Sequence, residues 1–198
     1  MSGPWRSQAE ACAHLDKDNI YPDLEEEPAA RLPAKGQYAA ARFIACYAGP
    51  YSHHQLTITT ARGLFIDERG LAGNMAGSGG WTGSVELRSL KYQTLGSGEL
   101  VVVVRANSSS SAGGSSTGYF ENADEQLMIC GLNRQATPLC LDWLVVESRS
   151  KNSPNGKNQG YTLTAAVTPA GLLSIAARSG DVPPKSTALL GEHRLSFQ

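Results

Sequence analysis

His53 and His54 could ligate a metal ion or act as a general base, but their adjacency works against a shared metal. In an extended chain, neighbouring side chains point to opposite faces. The Gly49-Pro50-Tyr51-Ser52 turn before them marks both as surface histidines. Asp67, Glu68 and Asp142 are the carboxylates that acid–base chemistry would need, yet Asp67-Glu68-Arg69-Gly70 has the composition of a polar turn. Nothing in the spacing brings Asp142 to face them. Asp16-Lys17-Asp18-Asn19 begins like a calcium loop and lacks its later glycine and glutamate. The glycine-rich run Gly73–Gly83 lacks the Lys-Ser/Thr ending of a phosphate loop, and no Gly-x-Ser-x-Gly elbow is present. These residues predict no catalytic set, no metal and no cofactor, hence a protein that is not an enzyme.

The four cysteines carry more information. Cys130 and Cys140 flank Gly131–Leu139 in what reads as a β-hairpin, while Cys12 and Cys46 bracket an acidic segment. An even count that divides into two pairs suits an exported protein, so the expectation is Cys12 with Cys46 and Cys130 with Cys140. The alternative is four reduced thiols packed as small apolar side chains. Zinc is disfavoured, because neither Cys-x2-Cys nor a histidine at a matching interval occurs.

The elements that would position these residues are strands. Val101–Val104 is stiff and strand-prone, and a run apolar on both faces reads as a strand buried on both. Gly96-Ser97-Gly98 enters it, and Ser108–Gly118 leaves it as what reads as a long flexible loop. Alternating segments recur along the rest of the chain, separated by turn chemistry at Arg62-Gly63, Pro154-Asn155-Gly156 and Pro169-Ala170-Gly171. Tyr38–Tyr47 reads as either helix or strand. About nine or ten short strands result, an all-β antiparallel architecture: a sandwich, an open barrel or an irregular propeller-like assembly. Residues 1–34 form an acidic, proline-containing segment, extended or with a short helix near Gln8–Leu15, strapped to a single domain at 35–198 by the Cys12 bond.

Composition narrows the partners. A formal net charge of −1 and scattered basic residues give no electrostatic case for nucleic acid. The longest apolar runs, Leu100–Val104 and Leu141–Val146, fall far short of the ~20 residues that span a bilayer. The cysteines favour a periplasmic or secreted protein whose signal peptide has been removed.

Ser84–Arg105, with Gly96, Gly98, Glu99 and Leu100 leading into the valines, resembles the FG-GAP-like (VCBS-type) repeat of bacterial envelope β-proteins. In that family aspartates in the preceding turn ligate calcium. Here Ser89, Tyr92, Gln93, Thr94 and Ser97 occupy the expected aspartate positions, and Glu99 alone cannot hold a hard cation. The family continues with a Gly/Ser-rich loop and an aromatic-containing strand, as Ser108–Phe120 does. Proteins of this appearance include inhibitors of lysozyme-like enzymes, whose Ser-Gly-x-Tyr loop enters the enzyme cleft. Thr117-Gly118-Tyr119 is similar to it. The resemblance implies a protein partner, a secreted hydrolase or toxin, met by a loop containing Ser115, Ser116, Thr117, Gly118 and Tyr119. Such a Ser/Gly/Tyr loop combines adaptable polar contacts with a rigid aromatic anchor. Trp81 is either a core plug or a second anchor. The expected function is thus an inhibitor or immunity protein. The alternative is a structural or carbohydrate-binding module in which Trp81, Tyr119 and Trp143 line up as a platform.

Overall fold

The four valines set the architecture by dividing two and two. In a computed structural model describing residues 1–15, 20–21, 31–48, 51–73, 81–114, 118–152 and 158–197, all four are buried, with Val102 and Val104 on one face and Val101 and Val103 on the other. Burying a valine contributes roughly 1.5–3 kcal/mol. One strand therefore serves two hydrophobic layers.

The described residues form fifteen strands and two helices: β1 (Ser2–Trp5), α1 (Gln8–Leu15), β2 (Ile20–Tyr21), β3 (Arg31–Leu32), β4 (Tyr38–Ala48), β5 (Tyr51–Thr60), β6 (Gly63–Ile66), β7 (Leu71–Gly73), β8 (Trp81–Thr94), β9 (Leu100–Gly114), β10 (Gly118–Leu132), β11 (Pro138–Cys140), β12 (Leu144–Asn152), β13 (Asn158–Val167), β14 (Leu172–Gly180), α2 (Pro184–Thr187) and β15 (Gly191–Arg194). Sheet I runs β1-β6-β5-β4-β2, with β3 on β4 and β7 on β5. Sheet II runs β15-β14-β13-β12-β10-β9-β8, with β11 on β10. Both are antiparallel and neither closes into a barrel, so the all-β sandwich is the architecture adopted. Seven of the strands, β1, β2, β3, β6, β7, β11 and β15, are two to four residues long, too short to leave a clear alternating pattern in the sequence.

Three apolar layers hold the assembly. Tyr38, Phe43, Leu56 and Ile58 of sheet I meet Val102, Val104, Met128 and Cys130 of sheet II. The far face of sheet II curls over Val101, Val103, Leu127, Ile129, Leu173 and Phe197. On the outer face of sheet I, α1 places Ala11 and Cys12 against Ile44, Cys46 and Ile66. Its start is capped by Ser7, whose Oγ accepts from Glu10 N–H (3.1 Å), while Glu10 Oε2 accepts from the N–H of the preceding Arg6 (2.8 Å). β1 adds an edge to β6, so the first fifteen residues contribute a strand and a covering helix.

Both expected disulfides are present, Cys12–Cys46 and Cys130–Cys140. The first ties α1 to β4, and the second joins directly paired residues of β10 and β11. Tyr38–Tyr47 resolves as strand, since pairing with β5 outweighs its alanine-rich helix propensity. No helix among the described residues is long and apolar enough to cross a membrane.

Candidate functional site

The first correction concerns the expected binding loop. Ser108–Gly114 is not a loop: β9 continues through it, paired on one side with β10 and on the other with β8. Low strand propensity is overridden because both backbone edges are satisfied and the hydroxyls pair across strands. Ser84 and Ser109 share a hydrogen bond of 2.7 Å, as do Thr82 and Ser111. Gly118 and Tyr119 belong to β10, opposite Gly114 and Gly113, and Trp81 opens β8 opposite Ala112. Ser115, Ser116 and Thr117 lie outside the described residues.

Where sheet II runs on past its apolar core, its outer face carries a charged row. Glu86, Asn107, Glu125 and Glu147 stand directly opposite one another across β8, β9, β10 and β12. They line a polar hollow of about 310 Å³. Glu125 and Glu147 are the facing carboxylates that a hydrolase would need. Like charges directly opposite are unfavourable, and each acid here holds an arginine. Arg105 reaches Glu125 at 2.6 Å, Arg88 reaches Glu86 at 3.3 Å, and Arg149 pairs with Glu147. Arg105 also donates to the Ala165 carbonyl at 2.5 Å. With each acid engaged by a guanidinium, the facing carboxylates are not left free to act on a substrate. The row is an ion-paired ladder across the sheet.

A concave apolar site lies elsewhere on that face, toward the other end of β10. Leu127, Ile129, Leu144, Leu173 and Ile175 floor a pocket of about 280 Å³. Trp143 forms one wall, and Leu141 and Leu189 stand at its margin. The exposed large apolar side chains among the described residues are Leu139, Leu141 and Leu189, at 40%, 38% and 39% exposure. Two of those three line this one pocket. Asp142 and His193 complete it with polar groups. His193 Nε2 lies 2.6 Å from the Leu189 carbonyl, and Asp142 pairs with Arg69. Hydrogen bonding to Asp142 holds the Arg69 guanidinium above its ordinary range.

A buried carboxylate sets the Trp143 wall. Asp67, 4% exposed, accepts from Trp143 Nε1–H (2.9 Å), Gly70 N–H (3.0 Å) and Arg69 N–H (3.2 Å). Phe43 meets the indole edge-on, with centroids 6.3 Å apart. Thus the turn after β6 fixes the segment before β12, and sheet I positions a wall on sheet II. Asp67 and Asp142, which the sequence leaves unrelated, flank the same Arg69. Both are committed to structural contacts. Trp143 is half-buried with its N–H occupied, so it is not a free platform for a sugar ring. His54 stacks on Phe43 at 5.9 Å, which joins it to this cluster and not to a metal site. No group of three metal-ligating side chains occurs among the described residues.

Sequence reasoning missed the pocket. Its signal was present in Leu139-Cys140-Leu141-Asp142-Trp143, where leucines flank a disulfide cysteine. Which of them reaches the surface depends on the β10–β11 register and on the return of β14 and β15, both long-range facts. Comparison with known proteins finds no matching family model, no matching curated protein and no matching solved structure.

Proposed function

We propose that this protein is a non-catalytic, exported binding protein, an inhibitor or immunity protein that blocks a secreted enzyme by receiving an apolar side chain of that enzyme in the Leu141–Leu189 pocket. One observation carries the reading: exposed leucines are confined to three positions among the described residues, and two bracket a single concavity. An apolar hollow with a charged margin, here Arg69–Asp142 and His193, is the usual anatomy of an interface hot spot. Two disulfides fit an oxidising compartment, periplasmic or extracellular. The expected contact through Ser115–Tyr119 would be a second point of attachment, since Gly118 and Tyr119 begin β10 while Leu127 and Ile129 of the same strand line the pocket.

The test is capture from a cell-envelope extract followed by an activity assay on each recovered enzyme. Expected is stoichiometric inhibition of one hydrolase or toxin. Leu141→Asp should raise the inhibition constant about thirtyfold or more, the size of a hot-spot loss, with the melting temperature unchanged. A recovered enzyme whose activity is untouched, or inhibition indifferent to Leu141→Asp, overturns the reading.

A further inference from the structure

Between the two sheets the apolar layer stops before the strands do. Along β9 the inward-facing series is Val102, Val104, Ala106, then Ser108 and Ser110. Along β10 it is Cys130, Met128, then Gln126, Asp124 and Asn122. The polar continuation faces Gly70 and Leu71, at the start of β7, across a cleft of about 380 Å³. This is the opposite face of sheet II from the leucine pocket.

Of the polar side chains in the cleft, Ser108, Ser109 and Gln126 make side-chain hydrogen bonds. Gln126 Nε2–H donates to Ser108 Oγ at 2.8 Å. Asp124 is the one ionisable side chain lining the cleft among the described residues. Its Oδ1 is buried and accepts no hydrogen bond, and no ion pair among the described residues reaches the carboxylate. No lysine, arginine or histidine among the described residues lines the cleft. A buried carboxylate oxygen without a donor is unfavourable, and a bound group that brings donors and a positive charge to this carboxylate relieves it.

We propose that this cleft binds an organic cation, a guanidinium or ammonium group, on the Asp124 carboxylate. A guanidinium offers five donors and no acceptor, which matches walls of carboxylate, hydroxyl and amide oxygens from Asp124, Ser108, Ser110 and Asn122. A saccharide would also bring donors, but the imbalance here is of charge, and a neutral ligand leaves it in place. The cation could come from a free amine or from a basic side chain of a peptide. The site is independent of the proposed inhibitor role, because neither Leu141 nor Leu189 lines it.

The experiment is a titration of the ¹⁵N-labelled full chain with four probes. Agmatine and N-acetyl-arginine methylamide present the guanidinium free and in a peptide setting; the citrulline analogue is its neutral isostere; methyl glucoside is the sugar. Expected are saturable amide shifts confined to residues near 70–71, 83, 108–110 and 122–126 with the guanidinium probes. Citrulline should bind about tenfold or more weakly, as should arginine to Asp124→Asn, the ratio expected when a hydrogen bond loses its charge. Asn122→Lys, which sets an ammonium two residues along the same face, should block the site even if Asp124→Asn fails to fold. Saturation by agmatine but not the peptide probe assigns a small amine; the reverse assigns a peptide side chain. Absence of saturable shifts, equal binding of citrulline, or saturation by methyl glucoside alone overturns the proposal.

Discussion

Replacing Asp67 with alanine should cost far more stability than its position in a polar turn suggests. The carboxylate takes three donors, two from its own turn and one from the Trp143 indole on the other sheet. Hydrogen bonds to a charged group are worth roughly 1.5–3 kcal/mol each. The turn N–H groups lie near the surface and can recover water, whereas the indole N–H faces the Phe43 side of the sandwich. The sum is therefore about 3–4 kcal/mol rather than three full bonds, or about 10 °C in melting temperature for a domain of this size. Trp143→Phe keeps the ring and removes only the donor, for a loss of about 1.5 kcal/mol. Urea unfolding followed by far-UV circular dichroism, on both single variants and the double, gives the coupling directly. Because the two residues share one hydrogen bond, the double variant should fall short of the summed losses by about 1–2 kcal/mol. If the losses simply add, to within about 0.3 kcal/mol, the Asp67–Trp143 bond does not join the sheets.

The disulfides divide by loop length: Cys12→Ser/Cys46→Ser, opening a separation of 34 residues, should cost about 4 kcal/mol in urea unfolding. Cys130→Ser/Cys140→Ser, opening one of 10, should cost about 3 kcal/mol; the reverse order would point to contacts and not chain entropy. Gly131→Ala drives a new methyl into the buried Phe197 ring, for a loss of about 1–3 kcal/mol, and an unchanged melting temperature would refute that close approach. Alkaline stability follows from Tyr38, whose burial holds the phenol well above its ordinary 10.0 while its O–H donates to the Leu100 carbonyl at 2.9 Å. Below pH 10 the phenol is neutral in both states, and above it only the unfolded chain ionises, so stability falls as pH rises. Tyr38→Phe should flatten that decline between about pH 10 and 11.5 while lowering stability at pH 7 by about 1 kcal/mol. A wild-type curve as flat as the variant's in that range would count against a buried neutral Tyr38.

What the sequence makes legible is local. The valine run declares a strand with two buried faces, and the cysteine spacing matches the bonds formed, because each depends on residues close in the chain or on simple parity. The Ser/Gly tract is misleading for the same reason. Ser108–Gly114 has no strand propensity of its own, and its extended form comes from partners twenty or more residues away on β8 and shorter-range pairing on β10. The Glu86–Glu125–Glu147 row, the Asp67–Trp143 bond and the Leu141–Leu189 pocket are products of register. They exist only once distant strands have chosen their alignment, and composition carries no trace of it.

β9 has a consequence for how the molecule comes apart. Its valines are simultaneously the floor of one layer and the ceiling of another, so neither layer can open without exposing the other. The two apolar clusters should accordingly melt as one cooperative unit, and the amides of Val101–Val104 should exchange with solvent only through global unfolding. The ladder beyond Ala106 has no such double cover and should exchange through local opening, hundreds of times faster or more, along the very same strand.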